Sequence, residues 1–224
     1  MESLDCLLKQ AETAHGHLCA GQILGVRLAM LGCRLLGIDD PLGKLHRADR
    51  KRLVTFVEID RCATDAIAVV TGCRLGKRAL KFRDWGKMAA TFVDLGRPEM
   101  EDLGLEAVEG GRAVRIAAKE SSKRRARELY PDVQTQNAQQ MAAYREMPDD
   151  ELFTVEWVKV PLPACEMPGY KAGRITCENC GEGISFDRHV VEEGLVEGVV
   201  SQRTLCQPCA DPELRYYQPV DGLQ

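Results

Sequence analysis

Leu4, Leu7, Leu8 and Ala11 recur at helical spacing over residues 3–14, behind Ser3 as an N-cap. A second run, residues 21–36, turns Ile23, Leu24, Leu28, Leu31 and Leu35 inward and stops at Gly37. The two stretches predict a pair of helices. Gly21, Gly25 and Gly32 lie along the second, where the missing side chains let another backbone come close. The pattern then changes. Residues 53–59, LVTFVEI, are β-branched and aromatic and read as a strand. Residues 63–71 read as a short buried helix. Further strands are expected at 79–83, 88–95 and 112–118, with Arg97-Pro98 and Gly110-Gly111 punctuating the loop between the last two. Residues 119–129 and 134–147 read as helices parted by Pro131, and 152–160 alternates like a final strand.

This order is not a regular alternation of strand and helix. It predicts an α+β core with a mixed or antiparallel sheet rather than a doubly wound parallel one. Pro161, Pro163 and Pro168, with Gly169 and Gly173, mark a linker over 161–173. The linker divides a core domain, 1–160, from a small C-terminal module, 174–224.

Composition narrows the class. The chain has 224 residues, 45% of them apolar, and a net charge of −4, so no global attraction to nucleic acid or anionic membrane is expected. No stretch approaches the ~18 consecutive apolar residues of a membrane helix. The N-terminal MESLDCLLKQ lacks a basic-then-apolar leader pattern. The expectation is a cytoplasmic protein with neither membrane nor nucleic acid as partner. In a reducing compartment its ten cysteines read as ligands, nucleophiles or core residues rather than disulfides.

Spacing sorts those cysteines. Cys177 and Cys180 form one Cys-x-x-Cys pair, Cys206 and Cys209 another, and the intervening residues 181–205 leave room for a hairpin. Four thiolates make a closed tetrahedral site for a structural zinc ion, and Gly181 supplies the backbone angles of the first knuckle. A knuckle, a hairpin and a helix carrying the last two ligands is the treble-clef arrangement, with ADPELRYY as the expected helical continuation. The module is too poor in apolar residues to fold on packing alone. His189, in the hairpin, reads as a surface residue.

A second cluster lies near the N-terminus. His15, His17 and Cys19 alternate, and an extended segment would turn all three to one side. Cys62 follows the first strand, and Asp65 stands three residues later, within reach across one helical turn. A thiolate with neutral imidazoles suits zinc, iron, nickel or copper. Cys73, beside Gly72, is a weaker candidate. Cys6 and Cys33 fall within helical runs and read as core or partly buried, and Cys165 as a linker residue.

His15-Gly16-His17-Leu18-Cys19-Ala20-Gly21, continuing to Gly25-Val26-Arg27, resembles the signature of the FmdE/FwdE family of formylmethanofuran dehydrogenase components. Cys62-Ala63-Thr64-Asp65, Gly72-Cys73-Arg74-Leu75-Gly76 and Asp84-Trp85-Gly86-Lys87-Met88-Ala89 are similar to its later elements. The resemblance implies an α+β core, commonly dimeric, with a cleft holding a second transition metal on His17, Cys19 and Cys62, His15 nearby. It also implies association with molybdenum or tungsten oxidoreductase subunits. Three functions follow: a metal-binding accessory protein; a stand-alone metal-dependent hydrolase or lyase with Asp65 as base; and a zinc-finger adaptor. Lys119, Lys123, Arg124, Arg125 and Arg127 form a basic run that reads as a solvated helix face.

Overall fold

The computed structural model describes residues 1–43, 52–96, 112–196 and 199–218. The loop marked by Arg97-Pro98 and Gly110-Gly111 lies outside them. The chain divides into two compact units, Met1–Leu162 and Pro163–Gln224.

In the first unit, helix α1 (Leu4–His15) begins where Ser3 accepts the Cys6 amide and ends at Gly16, φ 96°, whose N–H returns to Glu12. It buries Leu7, Leu8 and Ala11. Helix α2 (Ala20–Leu35) is buried on most sides, with Ile23, Val26, Leu28, Ala29 and Cys33 all enclosed. Such a helix is central, not a surface helix with one apolar stripe. Strand β1 (Leu53–Val57) leads to α3 (Cys62–Thr71), which Gly72 closes in the left-handed region, and then to the short β2 (Leu80–Phe82). Strands β3 (Ala89–Asp94) and β4 (Arg112–Ala118) follow. After them come helices α4 (Ser121–Leu129), α5 (Gln136–Glu146) and α6 (Asp149–Leu152), then strand β5 (Phe153–Val158).

The five strands form one mixed sheet in the order β2-β1-β3-β4-β5. β1 and β2 are parallel, joined through α3, and the remaining neighbours are antiparallel, with Val57 opposite Ala90 and Val114 opposite Trp157. The α+β expectation is met. The main core joins α1–α3 and α5 to the face of the sheet that carries Phe92, Val114 and Ile116. A smaller cluster of Val54, Val93 and Ala113 covers the other face.

Two close approaches set the position of α2. A Cβ on Gly32 would lie 2.4 Å from the Phe92 ring, and one on Gly25 would lie 2.5 Å from the Ala63 carbonyl of α3. Both distances are shorter than any side chain tolerates, so glycine is what lets α2 reach the sheet and α3 together. Arg27 then ties α2 to the following layer, donating to the carbonyls of Tyr144 and Met147 at 2.8 and 2.9 Å and to the Asp149 carboxylate at 2.6 Å.

In the second unit, β6 (Ile175–Thr176) pairs with β7 (Gly183–Ile184), and β8 (His189–Val196) with β9 (Val199–Cys206). The helix after the hairpin, α7 (Gln207–Ala210), is a single turn followed by a 3-10 turn at Pro212–Leu214. The helix stops at Ala210, so ADPELRYY adds only the 3-10 turn. Pro212 has no amide hydrogen to continue the ladder, and Asp211 caps the next turn instead by accepting the Glu213 amide.

Candidate metal centres

The four C-terminal thiols converge. The Sγ atoms of Cys177, Cys180, Cys206 and Cys209 all lie within 4.8 Å of one another, and among the described residues theirs is the tight group of three or more such donors. The knuckle between β6 and β7 supplies the first two. The Gly181 amide returns to the Cys177 carbonyl at 2.9 Å, and Gly181 sits at φ 76°, as the turn demands. Cys206 closes β9, and Cys209 lies in α7. This is a treble clef.

Donors surround the sulfurs. The Cys206 amide donates to Cys177 Sγ at 3.3 Å, and the Asn179 side-chain amide to Cys209 Sγ at 3.4 Å. Backbone N–H groups of Cys180 and Cys206 draw the Cys177 thiol down to about 6, and Asn179 leads the lowering of Cys209. Burial, with the neighbouring Cys209 thiol, pushes Cys206 up to about 12. Four thiols this close cannot all ionise without a cation among them, and an all-sulfur tetrahedral donor set fits a zinc site. His189, expected at the surface rather than as a ligand, is not among the converging donors. It is half-buried and stands opposite Cys206 in the β8–β9 ladder.

The core donors stand as two adjoining pairs rather than one knot. His15 Nδ1 lies 2.8 Å from Asp65 Oδ2, and Cys19 and Cys62 meet around Gly21. His17 packs on His15 with ring centroids 4.8 Å apart. The sequence pattern reached this neighbourhood by a different route. His15 is the last residue of α1, not part of an extended segment. The left-handed turn at Gly16 brings the two imidazoles together.

Cys19 is the extended N-cap of α2, and Cys62 opens α3. The two helix starts abut at Gly21, where a Cβ would lie 3.3 Å from Cys62 Cβ and 3.7 Å from Cys19 Sγ. The turn into α3 is braced by Glu58, whose carboxylate accepts both arms of Arg115 at 2.7 Å and whose carbonyl accepts the amides of Trp85 and Lys87. Burial, and after it the neighbouring Cys19 thiol, push the Cys62 thiol up.

A carboxylate can only accept a hydrogen bond, so Asp65 fixes the His15 proton on Nδ1 and leaves Nε2 with its lone pair available. A histidine held this way is how proteins prepare imidazole ligands. Two soft thiols and two imidazoles suit a transition metal. Gln22, fully enclosed, donates from Nε2 to the Cys62 carbonyl at 2.8 Å, while its Oε1 has no hydrogen-bond partner among the described residues.

Cys73 is not brought to this site. It is buried, and its thiol bonds to the Leu53 carbonyl and to Thr55. Cys33 is buried as expected, whereas Cys6 is exposed, because Leu7, Leu8 and Ala11 occupy the inward face of α1. Sequence reading missed Gln22, whose signal was one amide amid the apolar run of α2. It also missed the structural work of Arg27. The basic run of α4 is neutralised locally, with Lys123 on Glu120 and Arg125 on Glu128 and Glu151. A cavity of about 310 Å³ bordered by Met1, Leu7, Leu42 and Val70 includes none of the donors. Among the described residues no helix is long and apolar enough to cross a membrane.

A mixed α+β body and a four-thiol treble clef define the class: a metal-site protein with an auxiliary finger. The model of one family, FmdE, "Molybdenum formylmethanofuran dehydrogenase operon", matches residues 14–154, and the chain belongs to that family. The resemblance carried by His15–Arg27, Cys62–Asp65 and the later elements is borne out. A probable S-adenosyl-L-methionine-binding protein of Archaeoglobus fulgidus is 31% identical over 202 residues, 84% of this chain and 51% of that protein. The chain thus spans about half the length of that relative. The crystal structure of a tungsten formylmethanofuran dehydrogenase FmdE-like protein from Syntrophus aciditrophicus matches with a TM-score of 0.55 at 17% identity, covering 96% of this chain and 95% of that one. At that identity the likeness is one of fold.

Proposed function

We propose that this protein is a metal-binding accessory protein serving a molybdenum- or tungsten-dependent oxidoreductase. The C-terminal thiols hold a structural zinc ion, and His15, His17, Cys19 and Cys62 hold a second transition metal. Family membership supports the link to the oxidoreductase. What supports the core site is the meeting of Cys19 and Cys62 around Gly21, with Asp65, on the same first turn of α3 as Cys62, bonded to His15 Nδ1. A homodimer, which the family resemblance implies, and a cytoplasmic setting, which suits ten free cysteines, belong to the same reading.

Metal analysis of protein purified without added metal tests it. Two ions per chain are expected, one of them lost in His17→Ala, Cys19→Ala protein. A single zinc per chain would remove the core site. The second reading is a metal-dependent hydrolase or lyase. Three ligands, His17, Cys19 and Cys62, leave one position open for chemistry, and Asp65 is then its base. Metal-dependent turnover that disappears in Cys19→Ala favours that reading.

A further inference from the structure

Residues 74–87, RLGKRALKFRDWGK, carry six bases and one acid in a chain whose net charge is −4. They run from the 3-10 turn Leu75–Lys77 through β2 to the loop before β3. Arg74, Lys77, Arg83 and Lys87 are all exposed, and among the described residues no carboxylate pairs with any of them. The basic run of α4 differs in this respect, since its Lys123 and Arg125 meet Glu120, Glu128 and Glu151. Apolar surface is interleaved with the charge: Leu75 is 66% exposed and Trp85 61%. Scattered exposed apolar side chains need no explanation, but a group of them rimmed by charge marks an interaction site.

The backbone beside them is open as well. β2 is an edge of the sheet, and among the described residues it pairs only with β1. The Ala79 carbonyl accepts the Thr55 amide, and the Arg83 amide donates to the Val57 carbonyl. Residues 79, 81 and 83 therefore serve the ladder, and Phe82 turns its N–H to the outer side. Cations along such an edge repel a second copy of the same strand and attract an acidic one. The rings argue against nucleic acid, because a single strand binds by stacking its bases on free ring faces. Here Lys87 Nζ lies 5.7 Å from the centre of the Trp85 ring, and the Arg83 guanidinium 5.6 Å from that of Phe56, so cations already cover these faces.

We propose that the β2 edge docks an extended acidic segment of a partner protein. Its carboxylates meet Arg74, Lys77, Arg83 and Lys87, and its backbone takes up the Phe82 amide. The mode is strand addition, in which main-chain bonds hold the segment and the flanking side chains select it. This inference goes beyond the accessory role proposed above and needs neither metal site.

Trp85 and Trp157 are the two tryptophans of the chain, so in Trp157→Phe protein the fluorescence reports on Trp85 alone. Full-length protein is titrated with poly-L-glutamate and, separately, with oligo(dT) at matched charge. Poly-L-glutamate is expected to bind more tightly than oligo(dT), and less tightly as salt rises. Lys77→Gln, Arg83→Gln and Lys87→Gln combined are expected to weaken that binding about tenfold. Lys123→Gln with Arg125→Gln, on cations already paired, should leave it unchanged. Tighter binding of oligo(dT) would overturn the proposal in favour of a nucleic acid. No binding of poly-L-glutamate, or binding that the triple variant keeps, would overturn it outright, as would an equal loss in both variants.

Amide hydrogen exchange of the wild type needs no variant to fold. With poly-L-glutamate present, residues 80–87 are expected to exchange more slowly, and an unchanged rate there would refute strand addition. None of these readouts depends on metal content, so the core site stands or falls separately by the metal analysis above.

Discussion

His15 Nδ1 and Asp65 Oδ2 stand 2.8 Å apart, joining the last residue of α1 to the first turn of α3 across fifty positions of sequence. The pair is asymmetric. His15 is largely covered, whereas Asp65 is 61% exposed. Its contribution to folding is accordingly small, as for other exposed ion pairs. Its value lies in the nitrogen it leaves available. Asp65→Asn is expected to weaken metal binding at the core site by about 10–100-fold, with little change in melting temperature. Competition against a chromogenic chelator measures the first, and a thermal scan the second.

The C-terminal unit has a very small apolar centre, Cys177, Ile184 and Leu205. Metal binding in small zinc peptides supplies roughly 10–16 kcal/mol, far more than such a centre provides. Cys206→Ser, or removal of the ion by a strong chelator, is expected to unfold residues after Pro163 and leave the first unit intact. Limited proteolysis with mass spectrometry should then find cleavage confined to that stretch.

Gly25→Ala would set a methyl carbon 2.5 Å from the Ala63 carbonyl and 2.8 Å from Ala66 Cβ. Backbone on the far side cannot yield as a flexible side chain would. The expected loss is about 1–3 kcal/mol in denaturant unfolding. Gly21→Ala meets Cys62 Cβ at 3.3 Å, a lesser conflict. It should spare stability and lower core metal affinity, because what shifts is a proposed ligand.

Asp149 gives the fold a dependence on acid. Burial raises its carboxyl, but hydrogen bonds from Arg34 and Arg27 outweigh burial and hold it below the ordinary carboxylate value of 3.8. The folded state therefore binds this proton less readily than the unfolded chain does. The stabilisation is complete above the unfolded value and is lost as pH falls through the folded one. Arg27→Met is expected to cost about 2–3 kcal/mol at neutral pH and to flatten the stability curve below about pH 4. Urea titrations across about pH 2.5 to 7 provide the comparison.

Much of this was legible in the residues. Helices α1 and α2 could be read from Leu4, Leu7 and Leu8 and from Ile23 to Leu35, because both combine strong periodicity with clear stops at Gly16 and Gly37. The four-thiol site followed from two Cys-x-x-Cys pairs, since ligand and spacing are local facts. The links at the core site were not local. No spacing rule joins His15 to Asp65, or Gln22 to the Cys62 carbonyl forty positions away. Those contacts exist because Gly21 and Gly25 let α2 lie directly on α3. The alternation of His15, His17 and Cys19 would turn all three to one side of an extended segment, whereas a left-handed glycine after α1 brings the two imidazoles together.

The strand order carries a consequence for how the sheet is made. β1 emerges first, β2 settles beside it after one crossover, and β3, β4 and β5 then join in turn along the opposite edge. Every strand after the first has its neighbour already synthesised when it appears. A nascent chain leaving the ribosome can lay this sheet down in step with translation, with no early strand kept waiting for a late partner.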